Sequence, residues 1–245
     1  MNGSILLHTT GRILRQLVRD HRTVALVLAV PAVLLTLLYF MFEATPFVFD
    51  RIAIVMLGVL PFIVMFLITS IAMLRERTSG TLERLLTTPL GKLDLLAGYG
   101  IAFGLAAAAQ AGVACAAAYW LFDLDPAGSI WLVVLVAVVN AVLGVALGLL
   151  CSAFARTEFQ AVQFMPVVAL PQVFLCGLLV PRDQMAGWLE VASDFLPLTY
   201  AVSALREAGA NPGATDQMWA DLAIVGGVAV VALVLAAGTL RRRTG

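Results

Sequence analysis

The stretch IAIVMLGVLPFIVMFLITSIAML, residues 52–74, contains no charged side chain. A helix needs about 20 mostly apolar residues to cross a lipid bilayer, so this stretch predicts a membrane-spanning helix. Five further uncharged stretches of the same character lie at residues 23–42, 95–122, 128–155, 159–181 and 222–240. The sequence therefore predicts an all-α membrane protein with six transmembrane helices.

The overall composition agrees with this class. Of the 245 residues, 62% are apolar and only 12% are charged, whereas soluble domains contain about 25% charged residues. The 15 basic and 15 acidic side chains leave no net charge. A nucleic-acid partner is not expected, because binding to nucleic acid requires a basic face.

Basic residues in short loops stay on the cytoplasmic side of a membrane and so orient the helices. Twelve of the 15 basic residues fall before the first span, between the second and third, between the fourth and fifth, or after the sixth. All four segments lie on one side of a six-helix topology. We therefore expect both termini in the cytoplasm, in a multi-pass protein of a bacterial plasma (inner) membrane.

Residues 1–22 have the pattern of an amphipathic helix. At 100° per residue, four arginines fall on one face and four apolar residues on the other; these are Arg12, Arg15, Arg19 and Arg22 against Leu6, Ile13, Leu14 and Leu17. Such a helix lies in the membrane interface. It either only anchors and orients the chain or also contacts a cytoplasmic partner.

The six spans contain no Asp, Glu, Lys, Arg or His. Ion-driven carriers generally use such groups at mid-bilayer, and no catalytic or metal site is expected here. The Gly91-Lys92 pair has Leu86 and Leu93 where a phosphate-binding loop needs Gly and Ser or Thr. If this protein moves a solute uphill, the free energy must come from another polypeptide.

The connection between the second and third spans predicts a short amphipathic helix within residues 76–90. Gly80 separates it from the preceding helix, Thr81 is a suitable cap, and Pro89 ends it. An apolar stripe follows one face, formed by Leu82, Leu85 and Leu86. This stripe either docks on a cytoplasmic partner or lies flat on the lipid headgroups.

The segment RERTSGTLERLLTTPL, residues 75–90, resembles the cytoplasmic signature of ABC type-2 permeases. These are the membrane subunits of ATP-binding-cassette exporters of the daunorubicin-resistance and nodulation-factor type. The likeness covers nearly the whole chain and includes GLLVP at 177–181, WL at 188–189 and LPLTYA at 196–201. Two separate motifs in the expected order make the match specific.

The resemblance implies a partner and the residues that contact it. In that family the helix after the second span docks in a groove of an ATPase subunit and transmits its closure. The coupling contact would then comprise Glu76, Arg77, Gly80, Thr81, Leu82, Glu83, Arg84 and Leu85, with a smaller contact at Arg156 and Glu158. ATP and Mg²⁺ would be bound by the ATPase, and this chain would have no cofactor of its own.

Residues 182–217 are too polar to span and predict an outer re-entrant hairpin of two short helices. Trp and Tyr prefer the membrane interface, so we expect the hairpin to dip shallowly into the outer leaflet. In the resembling family such helices cap the outer mouth of the pathway. The gate residues would be Trp188, Leu196, Pro197 and Tyr200, in either a passive lid or a moving gate.

Uncharged polar side chains inside the spans are candidates for the substrate pathway; they include Thr69, Gln110, Asn140, Gln163 and Gln172. They are equally candidates for interhelical hydrogen bonds, which contribute about 0.6 kcal/mol each. The pairs Gly100/Gly104 and Gly144/Gly148 allow close helix approach. Two prolines predict a bent fifth span that lines a pathway.

The resemblance implies the membrane subunit of an ABC exporter, which moves a hydrophobic or amphipathic substrate such as a drug or a lipid-like molecule outward. Two permease chains, identical or paralogous, would face each other in the lipid. Two alternatives remain: an ion-coupled carrier or channel, and a membrane scaffold that transports nothing.

Overall fold

The computed structural model describes residues 3–79, 92–124 and 126–239. These residues form nine α-helices and no strand, so the all-α fold class is confirmed. The helices are α1 (Gly3–Arg19), α2 (His21–Met41), α3 (Pro46–Thr78), α4 (Lys92–Leu121), α5 (Ile130–Cys151), α6 (Glu158–Leu175), α7 (Gly187–Asp194), α8 (Pro197–Ala210) and α9 (Asp216–Thr239). One turn of 3₁₀ helix, Arg182–Gln184, precedes α7.

Five helices in the described part of the chain are long and apolar enough to cross a membrane: His21–Met41, Pro46–Thr78, Leu95–Leu121, Ile130–Cys151 and Asp216–Thr239. They correspond to five of the six expected spans. The chain is a multi-pass membrane protein.

Helix α6 occupies the expected fifth span but is less apolar than the five others. Its 18 residues include three glutamines and two prolines, and they rise about 27 Å, slightly less than the hydrocarbon core. Its two ends nevertheless lie at opposite ends of the bundle. Glu158 is bound to Arg75 at the end of α3, and the carbonyl of Gly177, just beyond α6, accepts a hydrogen bond from Arg206 of α8. A sixth crossing at this position stays a prediction.

The amphipathic helix at the N-terminus is shorter than expected. Helix α1 ends at Arg19 because the Asp20 side chain accepts hydrogen bonds from the backbone N–H and hydroxyl of Thr23 and caps α2. Arg22 therefore belongs to α2. Ile13 is buried against the core while Arg15 is exposed, as the pattern predicts.

The core of the bundle is the contact between α3 and α5, the most extensive helix pair in the described chain. A Cβ atom added at Gly144 would lie 2.4 Å from the carbonyl oxygen of Phe62, and one at Gly148 would lie 2.4 Å from that of Phe66. Glycine is therefore required at both positions, and the close approach predicted for this pair is confirmed. At Gly100 and Gly104 an added Cβ would make ordinary contacts at 3.7 Å, so the first pair does not need glycine.

Helix α8 is wedged into the bundle beside this contact. Leu205 packs on Gly58 of α3, and Gly209 packs on Ile54 of the same helix. Both α3 residues lie inside the second apolar stretch, residues 52–74. The second helix of the outer hairpin thus inserts between the long helices and does not rest on top of them.

We expect the substitution Gly144→Ala to destabilise the protein, because overpacking of this kind costs about 1–3 kcal/mol. The midpoint of thermal unfolding of the purified protein in one detergent should fall. Gly112→Ala on α4 is the matched control, since nothing lies within 4 Å of a Cβ added there. Equal midpoints for the two variants would show that a methyl group at position 144 does not destabilise the contact between α3 and α5, and would contradict the close packing.

Candidate functional site

Three consecutive charged residues at the end of α3 contact three different helices. We call Arg75, Glu76 and Arg77 the charged hub. Successive residues of an α-helix point about 100° apart, so three in a row cover most of the helix circumference. Each hub side chain can therefore reach a different neighbour.

Glu76 connects α3 to α1. Its carboxylate lies 3.4 Å from Arg12 Nη1, and the residue is only 7% exposed. The Tyr99 side chain of α4 lies beside both groups. A buried charge is tolerated only with an opposite charge close by, so this pair fixes the position of α1 against α3.

Arg75 connects α3 to the start of α6. Its Nε donates to Glu158 Oε1 at 2.7 Å and its Nη2 donates to Oε2 at 3.1 Å. This is the bidentate geometry in which guanidinium and carboxylate groups bind most favourably. The hydrogen bonds from Arg75 lower the pKa of Glu158 below its usual range.

Arg77 connects α3 to the end of α9, where its Nη2 donates to Thr239 Oγ1 at 3.1 Å.

The turn before α6 is ordered by its own hydrogen bonds. The Thr157 hydroxyl accepts from the N–H of Gln160 at 3.2 Å, and the N–H of Arg156 donates to Gln160 Oε1 at 2.8 Å. The Arg156 side chain lines a cavity of about 420 Å³ on the outward side of α6, together with Gln160 and Gln163.

The structure thus joins Glu76 and Arg77 on the hub with Glu158 across from it, three residues of the expected coupling contact. Arg75, which the sequence analysis did not include in that contact, makes the bond to Glu158. Its partner lies 83 positions away, and no local pattern in the sequence signals such a pair. Of the other seven residues of the expected contact, Arg156 lines the cavity beside α6, and six lie outside the described residues: Gly80, Thr81, Leu82, Glu83, Arg84 and Leu85.

The polar residues proposed for a pathway occupy different places. Asn140 is fully buried and donates through Nδ2 to the carbonyl of Gly58 at 3.0 Å, and the Thr69 hydroxyl bonds to the carbonyl of Met65 in its own helix. Both lie at the contact of α3 with α5. Gln172 donates to Val168 of its own helix at 2.9 Å.

Gln110 and Gln163 differ from these in their surroundings. Gln110 is 1% exposed, and neither of its amide atoms has a hydrogen-bond partner in the part of the chain described. Gln163 is exposed on the outward face of α6. Among the residues that the structure describes, the five candidates lie in separate places, and a role in a pathway stays a prediction for each.

The expected gate residues belong to an ordered cap at the opposite end of the bundle. Tyr200 donates from its hydroxyl to the carbonyl of Asp194 at 2.8 Å, and Arg182 donates to Ser193 Oγ at 2.8 Å and pairs with Asp194. Leu196 and Pro197 form the start of α8. Trp188 is 73% exposed on α7, where it is available to the membrane interface.

The comparison with protein families agrees with this architecture. Residues 6–208, more than half of the chain, match the family model described as ABC-2 type transporter. The chain belongs to the ABC-2 type transporter family.

Named relatives of this ABC-2 chain include transport proteins from bacteria and from a eukaryote. It is 28% identical over 156 residues to a probable multidrug ABC transporter permease, YbhR, of Escherichia coli strain K12, covering 64% of this chain and 42% of the relative. It is 27% identical over 165 residues to the linearmycin resistance permease protein LnrN of Bacillus subtilis, covering 67% and 42%. It is 30% identical over 140 residues to ABC transporter G family member 20 of Dictyostelium discoideum, covering 57% and 19%. The chain spans less than half the length of each of these relatives.

The bond between Arg75 and Glu158 predicts a pH dependence of stability in this ABC-2 chain. The pKa of Glu158 is lowered in the folded state, so the stabilisation is complete above the unfolded value of about 4.3 and is lost as pH falls through the folded pKa. Both side chains are more than half exposed, and such pairs contribute about 0.2–1 kcal/mol. Between pH 5 and pH 3 the wild type should lose more stability than Glu158→Gln, measured as the denaturation midpoint in detergent.

Arg75→Gln and the double variant should reproduce the weaker pH dependence of Glu158→Gln, since each removes the same bond. A Glu158→Gln protein with the same pH dependence as the wild type would contradict an energetic role for the pair.

Proposed function

We propose that this chain is the membrane subunit of an ABC exporter, which moves a hydrophobic or amphipathic substrate outward with free energy from a separate ATPase subunit. The observation that supports this most directly is the charged hub. It forms the start of the segment, residues 75–90, that resembles the cytoplasmic signature of ABC type-2 permeases, and it contacts α1, α6 and α9 through three side chains. A displacement of that segment would reach three helices at once.

The side of the membrane follows from the same residues. The hub, the start of α1 and the turn before α6 lie at one end of the bundle, which also contains most of the basic residues. Positive charge in short loops favours the cytoplasmic side. We place this end in the cytoplasm of a bacterium, where ATP and a nucleotide-binding partner are available, and the cap of α7 and α8 on the outer side.

A second permease chain completes the pathway in this proposal. Helix α6 presents Gln163 to the outside of the single chain, beside the exposed side chains of Phe159 and Val167. An amide in an apolar environment without a partner costs about 1–3 kcal/mol. Contact with the same face of another copy or a paralogue would remove that cost and enclose a route between the two α6 helices.

The class of substrate follows from the walls of the bundle. The six apolar stretches contain no Asp, Glu, Lys, Arg or His, which favours an uncharged or amphipathic substrate over a small ion. The names of two relatives, a multidrug permease and a linearmycin resistance permease, agree with this class.

The energy source can be tested directly in inside-out membrane vesicles that contain the chain and its ATPase partner. We expect ATP-dependent accumulation of the amphipathic dye rhodamine 6G, which continues when the proton and sodium gradients are collapsed with ionophores. Vesicles with an inactivated ATPase are the control and should not accumulate dye. Accumulation that needs an ion gradient and not ATP would identify a carrier, and a complex that hydrolyses ATP without transporting any amphipathic dye tried would contradict the exporter.

The role of the hub can be tested with charge reversals. In Glu76→Arg, a positive side chain would replace the carboxylate that faces Arg12, so ATP-driven accumulation should fall at least tenfold while the ATPase still copurifies. The double variant Arg12→Glu with Glu76→Arg restores opposite charges and should recover part of the transport. Arg15→Glu is the matched control, because the Arg15 side chain is exposed and, among the described residues, bonds to Gly11 of its own helix. If Glu76→Arg accumulates dye like the wild type, the hub does not transmit the movement of the ATPase to the membrane helices.

A further inference from the structure

A groove of about 930 Å³ lies between α1, α2, α3 and α4, at the hub end of the bundle. Charged side chains line its mouth: Arg12, Asp20, Arg75 and Glu76. Deeper in, its walls are apolar and come from α2 and α3, with Leu26 and Val30 opposite residues such as Ile63 and Leu67. A volume of this size is within the range of sites that hold small molecules.

The dimensions of the groove match one leaflet of a bilayer. Ile63 and Arg75 both line it and lie twelve positions apart on α3, which corresponds to about 18 Å along the helix. Half of the hydrocarbon core is about 15 Å thick. The charged mouth therefore lies at the depth of lipid headgroups when the apolar part lies in the hydrocarbon.

The mouth contains a donor for an anionic group. Arg12 uses Nη1 to contact Glu76, and its side chain is 37% exposed, so a ligand in the groove can reach the guanidinium group. A guanidinium N–H binds phosphate oxygens well, by a charge-assisted hydrogen bond.

The mouth also contains an acceptor for a cationic group. Asp20 lies at the start of α2, where hydrogen bonds from Thr23 lower its pKa and keep it ionised. The two arginines and the two acids at the mouth have balanced charge. A ligand with one negative and one positive group therefore fits better than an anion.

We propose that this groove binds a zwitterionic phospholipid, phosphatidylethanolamine, from the leaflet on the hub side. Its phosphate contacts the exposed part of the Arg12 guanidinium group, its ammonium group faces Asp20, and one acyl chain fills the apolar slot between α2 and α3. The bound lipid lies between α1 and α3, so it completes the contact that Arg12 and Glu76 begin. The proposal requires only a membrane protein and goes beyond the transport function.

Binding can be measured by native mass spectrometry of the purified full chain in detergent, titrated with palmitoyl-oleoyl phosphatidylethanolamine or phosphatidylglycerol. We expect the wild type to bind phosphatidylethanolamine at least fivefold more tightly than phosphatidylglycerol. Val30→Trp fills the slot without touching the hub and should lower that affinity at least tenfold, as should Arg12→Ala. Val33→Trp, on the exposed face of α2, and Arg15→Ala are the matched controls and should bind like the wild type.

Thermal unfolding separates loss of binding from loss of fold. Phosphatidylethanolamine should raise the midpoint of the wild type and of Val33→Trp but not of Val30→Trp, and the two tryptophan variants should unfold alike without lipid. Glycerophosphoethanolamine, the headgroup without acyl chains, should not compete. Unchanged affinity in Val30→Trp, equal affinity for phosphatidylglycerol, or competition by the free headgroup would each overturn the proposal.

Discussion

The rest of the structure depends on the close approach of α3 and α5. In lipid, apolar side chains gain nothing by leaving hydrocarbon for a helix interface, so association relies on close packing and on polar contacts. The glycines at 144 and 148 let α5 meet the carbonyls of Phe62 and Phe66 directly, and the amide of Asn140 bonds to Gly58 across the same interface. Because α3 also packs against α2, α4, α6 and α8, its position sets the position of nearly every other helix.

Because α3 is held by its packing against α5, the charged hub at its end has a fixed position. The three hub contacts differ in strength. Glu76 is almost fully buried, and removing one partner of a buried pair costs about 3–5 kcal/mol. Arg12 is 37% exposed, which places this pair toward the lower end of that range. The exposed pair of Arg75 with Glu158 contributes about 0.2–1 kcal/mol. The ion pair that joins α1 to α3 is therefore stronger than the one that joins the start of α6 to α3, whereas helix packing on α3 is more extensive for α6 than for α1.

Much of the fold could be predicted because hydrocarbon imposes a simple rule. A long stretch without charge such as residues 52–74 must be a helix there, since every backbone polar group needs a partner. The end of α1 was harder, because it depends on Asp20 bonding to Thr23, which competes with continuation of the helix to Arg22. Gly100 and Gly144 occur in the same motif, yet only the second faces a backbone, and which neighbour a helix meets is a property of the assembled bundle.

The site was predictable in type and not in geometry. The resemblance indicated Glu76 and Arg77 as contacts, and the structure places both on the hub. It could not indicate that Glu76 pairs with α1 or that Arg75 binds Glu158, since these partners lie 64 and 83 positions away. The buried amides were recognised as polar groups at depth, but only the packed structure distinguishes Asn140, which bonds across an interface, from Gln163, which faces outward.

The properties of α6 combine into one argument about movement. It is the least apolar of the long helices after α1, it contains Pro166 and Pro171, and it presents Gln163 to the outside of the chain. Each feature is unfavourable for a helix that only faces lipid. Each is suitable for a helix that lines a polar route beside a second chain, where the carbonyls left free by proline and the amide of Gln163 find partners. In the exporter proposed above, the weak, exposed bond from Arg75 to Glu158 would be the contact that breaks and re-forms as the route opens, while the buried pair of Glu76 with Arg12 would keep the rest of the hub in place.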